Sequence, residues 1–293
     1  MRRFLRHLFG TLAVLAALGL LASFCGQLHP LGDSLAVFRI QIGLLATLCA
    51  TLAFLFGGRW AALLVLGSLL AVAPALWQLL GWGAQHSGAI TVYQKNLSFR
   101  LQEPGPIIAD LLETNPDIVT LQEVATHNLA VLKGIKPRLP TQLVCPFARV
   151  GGVAVASHWP LIAGSKTCLD GRGMAAMQVA HPDGPLWLVS IHLHWPWPYR
   201  QASQMAHIAK ALENLEGPMI IGGDFNMVPW SHSHRLIAQT SGSQRAGAAP
   251  NSFPRFGALL PLPIDHIYAP AGGLTILRPS LGSDHLGLLA RVN

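Results

Sequence analysis

An aspartate and an asparagine two residues apart are the side chains in this sequence best placed to do chemistry. Residues 218–221 form a short apolar run that predicts a buried strand, and Gly222 and Gly223 let the backbone bend before Asp224 and Asn226. In an extended segment, positions i and i+2 share a face, so a carboxylate lies beside an amide that can donate or accept. Such a pair suits proton transfer or metal-assisted chemistry on an oxygen-rich substrate. These residue types also dominate turns, so a purely structural turn is the alternative.

Six further residues with metal-binding or acid–base side chains lie in, or at the end of, apolar segments. They are Asn96, Glu123, His192, Asp265, Asp284 and His285. Carboxylates that cluster without a counter-charge repel one another, and their pKa values rise. A hard divalent ion held by carboxylates, an amide and water relieves that repulsion. If a doubled sheet brings these strand ends together, we expect a Mg²⁺ site there, with Mn²⁺ as the alternative ion.

The elements that must position these residues are predicted from hydrophobic periodicity. The strands that carry the candidate residues are 90–96, 117–123, 186–194, 218–221 and 263–268, and 286–292 closes the chain. The predicted helices are 104–115, 124–132, 199–215 and 229–239. Strand 186–194 alternates, so His192 and His194 share one face, where they either ligate zinc or face solvent. His232 and His234, on the last helix, are predicted surface residues.

Three long apolar segments, at about residues 11–24, 35–56 and 60–82, occupy the start of the chain. The last two are long enough to cross a hydrocarbon core of about 30 Å, and the first needs its flanking residues to do so. A signal peptide is the alternative for the first segment, because a basic stretch precedes it. We interpret residues 1–84 as an anchor of three transmembrane helices and residues 89–293 as a separate domain.

The charged residues around these segments predict the orientation of the chain. Arg2, Arg3 and Arg6 precede the first segment, and by the positive-inside rule they place the N-terminus in the cytoplasm. Three crossings then place everything after about residue 84 on the outer side. Arg39 is expected near the outer end of the second span, where its long side chain can reach the interface.

The formal net charge of +7 does not indicate a nucleic-acid-binding patch. Residues 1–87 hold five Arg and one Asp, while residues 88–293 hold fifteen Lys or Arg against twelve Asp or Glu. Much of the basicity therefore belongs to the anchor. A dense basic stretch, the usual footprint of a nucleic-acid-binding domain, is not visible in the sequence after residue 88.

Two of the four cysteines, Cys145 and Cys168, lie in the predicted outer domain. Outside the cytoplasm a disulfide between them is allowed, and two buried thiols are the alternative. A Cys-x-x-Cys pair does not occur in the sequence, which argues against a zinc ribbon or a thioredoxin-like site.

Two loops could recognise a substrate. Residues 195–198, Trp-Pro-Trp-Pro, cannot continue a central strand and form a rigid aromatic loop that could stack a base or sugar, touch lipid headgroups, or pack. Residues 241–257 are small, polar and interrupted by proline, as is typical of a loop across an open face. Arg245 and Arg255 within this loop are candidate phosphate contacts.

The ordered set of motifs resembles the endonuclease/exonuclease/phosphatase superfamily, which includes deoxyribonucleases, abasic-site endonucleases, neutral sphingomyelinases and inositol-polyphosphate 5-phosphatases. The motifs are Asn96 in its strand, Leu121-Gln122-Glu123, Ser190-Ile191-His192-Leu193, Gly223-Asp224-Phe225-Asn226, Ile264-Asp265-His266-Ile267 and Ser283-Asp284-His285. Each motif alone is weak, whereas the ordered set, over about residues 89–293, is specific. The resemblance implies an α/β fold: a four-layer α/β/β/α sandwich of two packed, mainly antiparallel sheets. The anchor lies outside it, as in bacterial membrane-anchored members of the superfamily.

The resemblance also implies which residues hold the metal. Glu123 would be the main Mg²⁺ ligand, and Asn96 would lie beside it in the first metal shell or one water removed. Asp284 would lie near the metal.

The remaining residues would handle the water and the phosphate. Asp224 would position or deprotonate the attacking water, and Asn226 would hold it or a phosphate oxygen. His285, oriented by Asp265, would contact the scissile phosphate. His192 would donate to a non-bridging oxygen as negative charge builds.

These residues predict a Mg²⁺-dependent hydrolase that cleaves a phosphodiester by in-line attack of an activated water. A serine hydrolase is not supported, because the sequence has no Gly-x-Ser-x-Gly elbow. The substrate stays open between nucleic acid and a phospholipid headgroup, and a non-catalytic membrane-anchored binding module is a second class of function. We expect a bacterial inner-membrane protein whose catalytic domain faces outward and whose partners are the bilayer and the substrate, without a protein partner.

Overall fold

A computed structural model describes residues 1–81, 87–254 and 260–293. Arg255 and residue 82, the predicted end of the third apolar segment, lie outside these ranges. The helices in the described ranges are α1 (Arg2–Ala22), α2 (Leu31–Val37), α3 (Arg39–Leu55), α4 (Ala61–Leu80), α5 (Gly105–Thr114), α6 (Ala130–Ile135), α7 (Gln201–Glu213) and α8 (His232–Ser241). The strands are β1 (Ile90–Asn96), β2 (Ile118–Val124), β3 (Thr141–Ala148), β4 (Gly151–Ser157), β5 (Thr167–Leu169), β6 (Met174–His181), β7 (Gly184–His192), β8 (Met219–Asp224), β9 (Gln244–Arg245), β10 (Asp265–Ala269), β11 (Gly273–Arg278) and β12 (Gly287–Val292).

The N-terminal helices are apolar enough to span a membrane. Helices α1 and α4 each meet the length and hydropathy that a span requires, and α2 and α3 together make a third candidate, although they meet at a 73° bend. The predicted segment 35–56 is therefore not one straight helix, because the chain turns at Phe38. Small side chains, among them Ala13, Ala50 and Ala53, are fully buried where the helices meet and let the backbones approach closely.

The strands form two six-stranded sheets. The first has the order β11-β12-β1-β2-β4-β3 and the second the order β5-β6-β7-β8-β10-β9. Neighbouring strands are antiparallel except for one parallel pair in each sheet, β1 with β2 and β7 with β8. The prediction of two mainly antiparallel sheets is confirmed.

The two sheets pack face to face, and helices cover their outer faces. Val92, Val155, Leu188 and Ile220 belong to the apolar layer between the sheets. Helices α5 and α6 pack their apolar sides on the first sheet, and α7 and α8 pack on the second. Both faces of each sheet are thus buried, which explains why the central strands read as nearly continuous apolar runs. The four-layer α/β/β/α arrangement agrees with the prediction.

A disulfide joins Cys145 to Cys168. Cys145 lies on β3, an edge strand of the first sheet, and Cys168 lies on β5, an edge strand of the second. The bond therefore links the two sheets along one side of the sandwich, and of the two alternatives for these cysteines the structure contains the disulfide.

The N-terminal helices contact the two-sheet domain through Asp33 of α2. Its carboxylate accepts hydrogen bonds from the backbone N–H of His232 at 2.8 Å and of Ser233 at 3.1 Å, and from the Ser233 hydroxyl at 2.7 Å. A negative charge at the first turn of a helix satisfies free N–H groups and favours the helix dipole. Asp33 therefore joins helix α2 to the first turn of α8.

A second contact joins Arg39 and Ala36 to Trp230. The Arg39 guanidinium donates to the carbonyl of Trp230 at 3.1 Å and to Ser23 Oγ at 2.9 Å. In return, the Trp230 indole N–H donates to the carbonyl of Ala36 at 2.7 Å. Arg39 is only 5% exposed. The side chain was expected to extend to the membrane interface, but it is buried, because the carbonyls of Trp230 and Ser23 accept its hydrogen bonds inside the protein.

Candidate active site

The strand ends that carry the candidate residues meet at one edge of the sandwich. The parallel pair β7 and β8 places His192 opposite Asp224, and the antiparallel strand β10 places Asp265 opposite Asp224. In the other sheet, the parallel pair β1 and β2 places Asn96 opposite Gln122, next to Glu123. Parallel strands end at the same edge, and an antiparallel neighbour begins there, which explains why residues distant in sequence converge.

Two of these residues have a positive φ, a backbone conformation that residues other than glycine rarely adopt. Glu123 has a φ of 55° and Asn226 a φ of 47°. Glu123 lies in a β-bulge, where the register of β2 against β4 shifts between Gln122 and Val124. A bulge re-aims a side chain at a sheet edge, and left-handed residues of this kind, at roughly 1–3 kcal/mol each, cluster at functional sites.

Asp224 is the centre of the site. Its Oδ2 accepts a hydrogen bond from Asn96 Nδ2 at 2.9 Å and lies 3.5 Å from His192 Nε2 and 3.7 Å from His285 Nε2. Its Oδ1 accepts from the backbone N–H of Asn226 at 2.8 Å. Burial raises the pKa of Asp224 to about 7, although the positive charge on His285 opposes this.

His285 is held between two carboxylates. Its Nδ1 lies 2.8 Å from Oδ2 of Asp265, which is fully buried beneath it. Asp265 is fixed in turn by Gln94, whose amide donates to Oδ1 at 3.0 Å. Burial alone would lower the pKa of His285, but the negative charges of Asp265 and Asp224 outweigh burial and raise the pKa to about 9. Burial would raise the pKa of Asp265, yet His285 holds it below its ordinary value.

The Glu123 carboxylate faces the cleft with both oxygens engaged. Oε2 accepts from the backbone N–H of Phe99 at 2.7 Å and Oε1 from Asn96 Nδ2 at 3.3 Å. The Asn96 oxygen is occupied by the backbone N–H of Ser98 at 2.9 Å. Asn96 thus presents its amide nitrogen and bridges Glu123 to Asp224. Burial raises the pKa of Glu123.

The donor chemistry fits a hard divalent cation in two places. Asp224, Asp265 and His285 offer ligand atoms within 4.8 Å of one another. Glu123 and Asp284 line the same cleft and add carboxylate oxygens, the ligands that Mg²⁺ prefers. Asp265 Oδ2 and His285 Nδ1 are hydrogen-bonded to each other, so a cation at the first place would compete with this contact.

These residues surround a cleft of about 460 Å³. Six of the predicted site residues line it, namely Glu123, His192, Asp224, Asn226, Asp284 and His285. The other two, Asn96 and Asp265, lie directly behind and are hydrogen-bonded to lining residues. The structure therefore brings all eight predicted site residues together.

The two histidines at the end of β7 differ in environment. His192 is buried, and burial lowers its pKa to about 3, so that its imidazole is neutral at ordinary pH. Its Nδ1 has no hydrogen-bond partner among the described residues. His194 is half-buried and also lines the cleft. The Phe147 ring lies 5.1 Å from the ring of His192 and 4.9 Å from that of His194, and so packs beside both.

Several lining and supporting residues were not predicted. Arg149, Phe147, Tyr199 and Phe253 line the cleft, and Gln94 supports Asp265 from inside the sandwich. Arg149 had a weak signal in the sequence, since it is a basic residue just before the glycine pair of a strand turn. The aromatic residues had none, because their periodicity is that of ordinary core.

Two predictions about single residues are not met. Arg245 lies on β9, which pairs with Tyr268 at the far end of β10, and its guanidinium donates to the carbonyl of Gly247 at 2.5 Å. It is not among the residues that line the cleft. His234 is buried instead of exposed, because Tyr268 and Met227 supply hydrogen-bond partners at 2.5 Å and 3.1 Å.

Comparisons with solved structures show what this fold is similar to. A mutant of beta toxin from Staphylococcus aureus with bound magnesium ions is 14% identical with a TM-score of 0.54, and the match covers 70% of this chain and 99% of that chain. An endonuclease/exonuclease/phosphatase family protein from Leptotrichia buccalis is 13% identical with a TM-score of 0.55 over 70% of this chain and 100% of that chain. The human Nocturnin catalytic domain with bound sulfate is 19% identical with a TM-score of 0.53 over 69% and 92%.

At these identities the similarity establishes the fold alone, and no curated protein matches the chain by sequence. A family model gives the stronger result. That of the Endonuclease/Exonuclease/phosphatase family matches residues 96–285, from the first predicted site residue to the last. The match spans more than half of the chain, which therefore belongs to the Endonuclease/Exonuclease/phosphatase family, and the predicted class of an enzyme acting on phosphoester bonds is confirmed.

Proposed function

We propose that the chain is a membrane-anchored, metal-dependent phosphoesterase that hydrolyses a phosphodiester by in-line attack of an activated water. The observation that carries this proposal is the set of contacts around Asp224, where Asn96, His192 and His285 converge on one carboxylate at the cleft floor. A base, a hydrogen-bond donor and a cationic group thus lie within reach of one substrate atom. That combination accelerates phosphoester hydrolysis, because it activates water and neutralises charge on the phosphoryl oxygens.

Glu123 and Asp284 would hold a Mg²⁺ ion, or Mn²⁺ in its place. Asn96 donates to Glu123 Oε1 and keeps this carboxylate oriented. When bound, the ion would neutralise negative charge on the phosphoryl oxygens. The magnesium ions in the beta toxin structure support a divalent ion in this fold.

The other site residues act on water and phosphate. Asp224, with its pKa raised to about 7, accepts a proton from the attacking water near neutral pH. Asn226 holds that water or a phosphate oxygen. His285, oriented by Asp265, contacts the scissile phosphate as a cation, and neutral His192 donates its N–H to a non-bridging oxygen.

The test is hydrolysis by the purified full chain with Mg²⁺, on plasmid DNA and on sphingomyelin liposomes. Glu123→Ala and His285→Ala are each expected to abolish activity on the true substrate. Glu113→Ala and His207→Ala, at exposed positions on α5 and α7, are matched controls and should retain it. Full retention in both site variants would sink the assignment.

We also propose that residues 1–84 anchor the chain and that residues 89–293 form the catalytic domain on the outer side of a bacterial inner membrane. The Cys145–Cys168 disulfide supports an oxidising compartment. Three membrane crossings require that α3 be one of the spans. Its 17 residues extend over about 25 Å, close to the thickness of the hydrocarbon core. A reporter fused after Asn293 that is active only in the cytoplasm would contradict this orientation.

A further inference from the structure

A groove of about 410 Å³ lies between the bend of the anchor and the aromatic loop that follows β7. Phe38 of the anchor and Trp197 and Leu262 of the catalytic domain contribute to its walls. Trp195 and Tyr199 line both this groove and the catalytic cleft. The two spaces therefore adjoin each other at these two side chains.

The groove is apolar, and a hydrogen bond joins its two walls, helix α2 and the aromatic loop. Its lining residues in the described part of the chain carry no formal charge. Phe38 and Trp197 remain 42% and 46% exposed, which leaves two large apolar side chains open to a ligand. The Ser34 hydroxyl donates to the carbonyl of Trp197 at 2.7 Å and ties the loop to α2. The anchor and the loop therefore form one surface.

The adjoining catalytic cleft has the opposite character. Arg149 lines this cleft together with the candidate metal ligands Glu123 and Asp284. His194 also lines the cleft, and burial, followed by the positive charges of Arg172 and Arg200, lowers its pKa. An anionic group is favoured at this end and a hydrocarbon at the other, so the combined shape suits an amphiphile.

The position of the groove relative to the anchor favours a lipid over a polynucleotide. Phe38 lies at the bend that leads into α3, and neighbouring α1 and α4 carry widely exposed leucines such as Leu18 and Leu63. A hydrocarbon chain can enter the groove from the apolar zone that these helices define. A polynucleotide leaving the cleft in this direction would press its phosphates against an uncharged wall and the anchor.

We propose that this groove binds a hydrocarbon chain of a membrane lipid whose phosphoester headgroup lies in the catalytic cleft. The inference rests on the proposed phosphoesterase function and narrows its substrate to a lipid drawn from the bilayer. Chain binding on a surface shared by anchor and domain also gives the anchor a part in substrate selection.

Photo-crosslinking tests the occupant without requiring turnover. The probe is dodecyl phosphate with a diazirine at the chain end, added to the full-length protein in phosphatidylcholine vesicles. Adducts are expected at Phe38, Trp197 or Tyr199, and Ser34→Phe, which fills the groove, should lower their yield several-fold. Leu63→Phe, on the exposed face of α4, is the control. If Ser34→Phe fails to fold, the positions of the adducts in the parent protein decide. Adducts confined to α1 and α4 would overturn the proposal.

Kinetics separate this proposal from the proposed function. The methyl and hexyl esters of p-nitrophenyl phosphate differ only in their chain, and hexyl should be preferred by at least about 10-fold in kcat/KM, because methylene groups leave water. Ser34→Phe should reduce this ratio, whereas Leu63→Phe should not. Equal kcat/KM values for the two esters would contradict the groove proposal but not the phosphoesterase function. If neither ester is hydrolysed, the proposed phosphoesterase function is contradicted. The crosslinking experiment then still tests whether the groove binds a hydrocarbon chain. If the protein cleaves an oligonucleotide and Ser34→Phe lowers the rate of that cleavage, the groove binds nucleic acid and the proposal is overturned.

Discussion

Nδ1 of His285 lies 2.8 Å from Oδ2 of Asp265, a carboxylate with no exposure to solvent. Because Asp265 is fully buried, we expect it to act by orienting His285 and not by contacting the substrate. Asp265→Asn keeps the size of the side chain but removes its charge, and we expect kcat to fall by about 10²–10⁴-fold with little change in KM. Asp170→Asn, at an exposed position, is the control. Steady-state kinetics with an unchanged kcat would contradict this role.

Removal of divalent cations should abolish activity, and added Mg²⁺ should restore it. Glu123→Gln removes one carboxylate from the proposed ion site, and we expect the Mg²⁺ concentration for half-maximal activity to rise by at least about 10-fold. Glu113→Gln lies on the exposed side of α5 and should leave the Mg²⁺ titration unchanged. Identical titrations for Glu123→Gln and the parent protein would remove Glu123 from the metal site.

The link between the sheet edges should stabilise the catalytic domain. We expect the Cys145→Ser, Cys168→Ser double variant to lose roughly 2–4 kcal/mol, because the unfolded chain gains conformational freedom. Thermal unfolding of the detergent-solubilised protein, followed by near-UV circular dichroism, measures this loss. Cys25→Ser, at an exposed free cysteine, is the control. A reductant should lower the melting temperature of the parent protein and leave that of the double variant unchanged.

Buried His234 should make folding sensitive to acid. Burial lowers its pKa in the folded protein to about 3, below an ordinary value of 6.5. Between these values the unfolded chain binds the additional proton, so the stabilisation is complete above about pH 6.5 and is lost as the pH falls towards 3.

The slope from this one site is up to about 1.4 kcal/mol per pH unit. His234→Gln should therefore flatten the dependence of unfolding free energy on pH in this window, even though it also lowers stability at pH 7. His207→Gln, at an exposed position, should leave the slope unchanged. Denaturant titrations at a series of pH values provide the measurement, and an unaltered slope in His234→Gln would mean that another group carries the effect.

The sequence was sufficient to predict which residues meet, because each candidate lies at a strand end. An apolar run before Asp224 and another before Glu123 place both carboxylates at a sheet edge, and parallel pairing brings such edges together. Local pattern and topology therefore agree. The four-layer fold followed from the resemblance and not from periodicity.

Features that depend on contacts between distant residues could not be predicted. The bulge at Glu123 forms where Gly151 of β4 approaches so closely that a Cβ there would lie 2.8 Å from the Glu123 backbone. Arg39 was expected in an interfacial position because its carbonyl acceptor, Trp230, lies 191 residues away. The bend at Phe38 likewise has no local breaker such as proline within it.

The contacts of Asp33 and Arg39 with the two-sheet domain have a practical consequence for work with a fragment that lacks the N-terminal helices. Severing the chain near residue 88 would leave the Trp230 indole and the first N–H groups of α8 without their acceptors. Trp230 follows Asp224 and Asn226 in the chain, so the loss of these contacts would disturb the segment that carries the candidate catalytic carboxylate. An inactive fragment would then reflect the loss of these hydrogen bonds and not the absence of catalytic groups. In related sequences, we expect changes at Asp33 to be accompanied by changes at the start of α8.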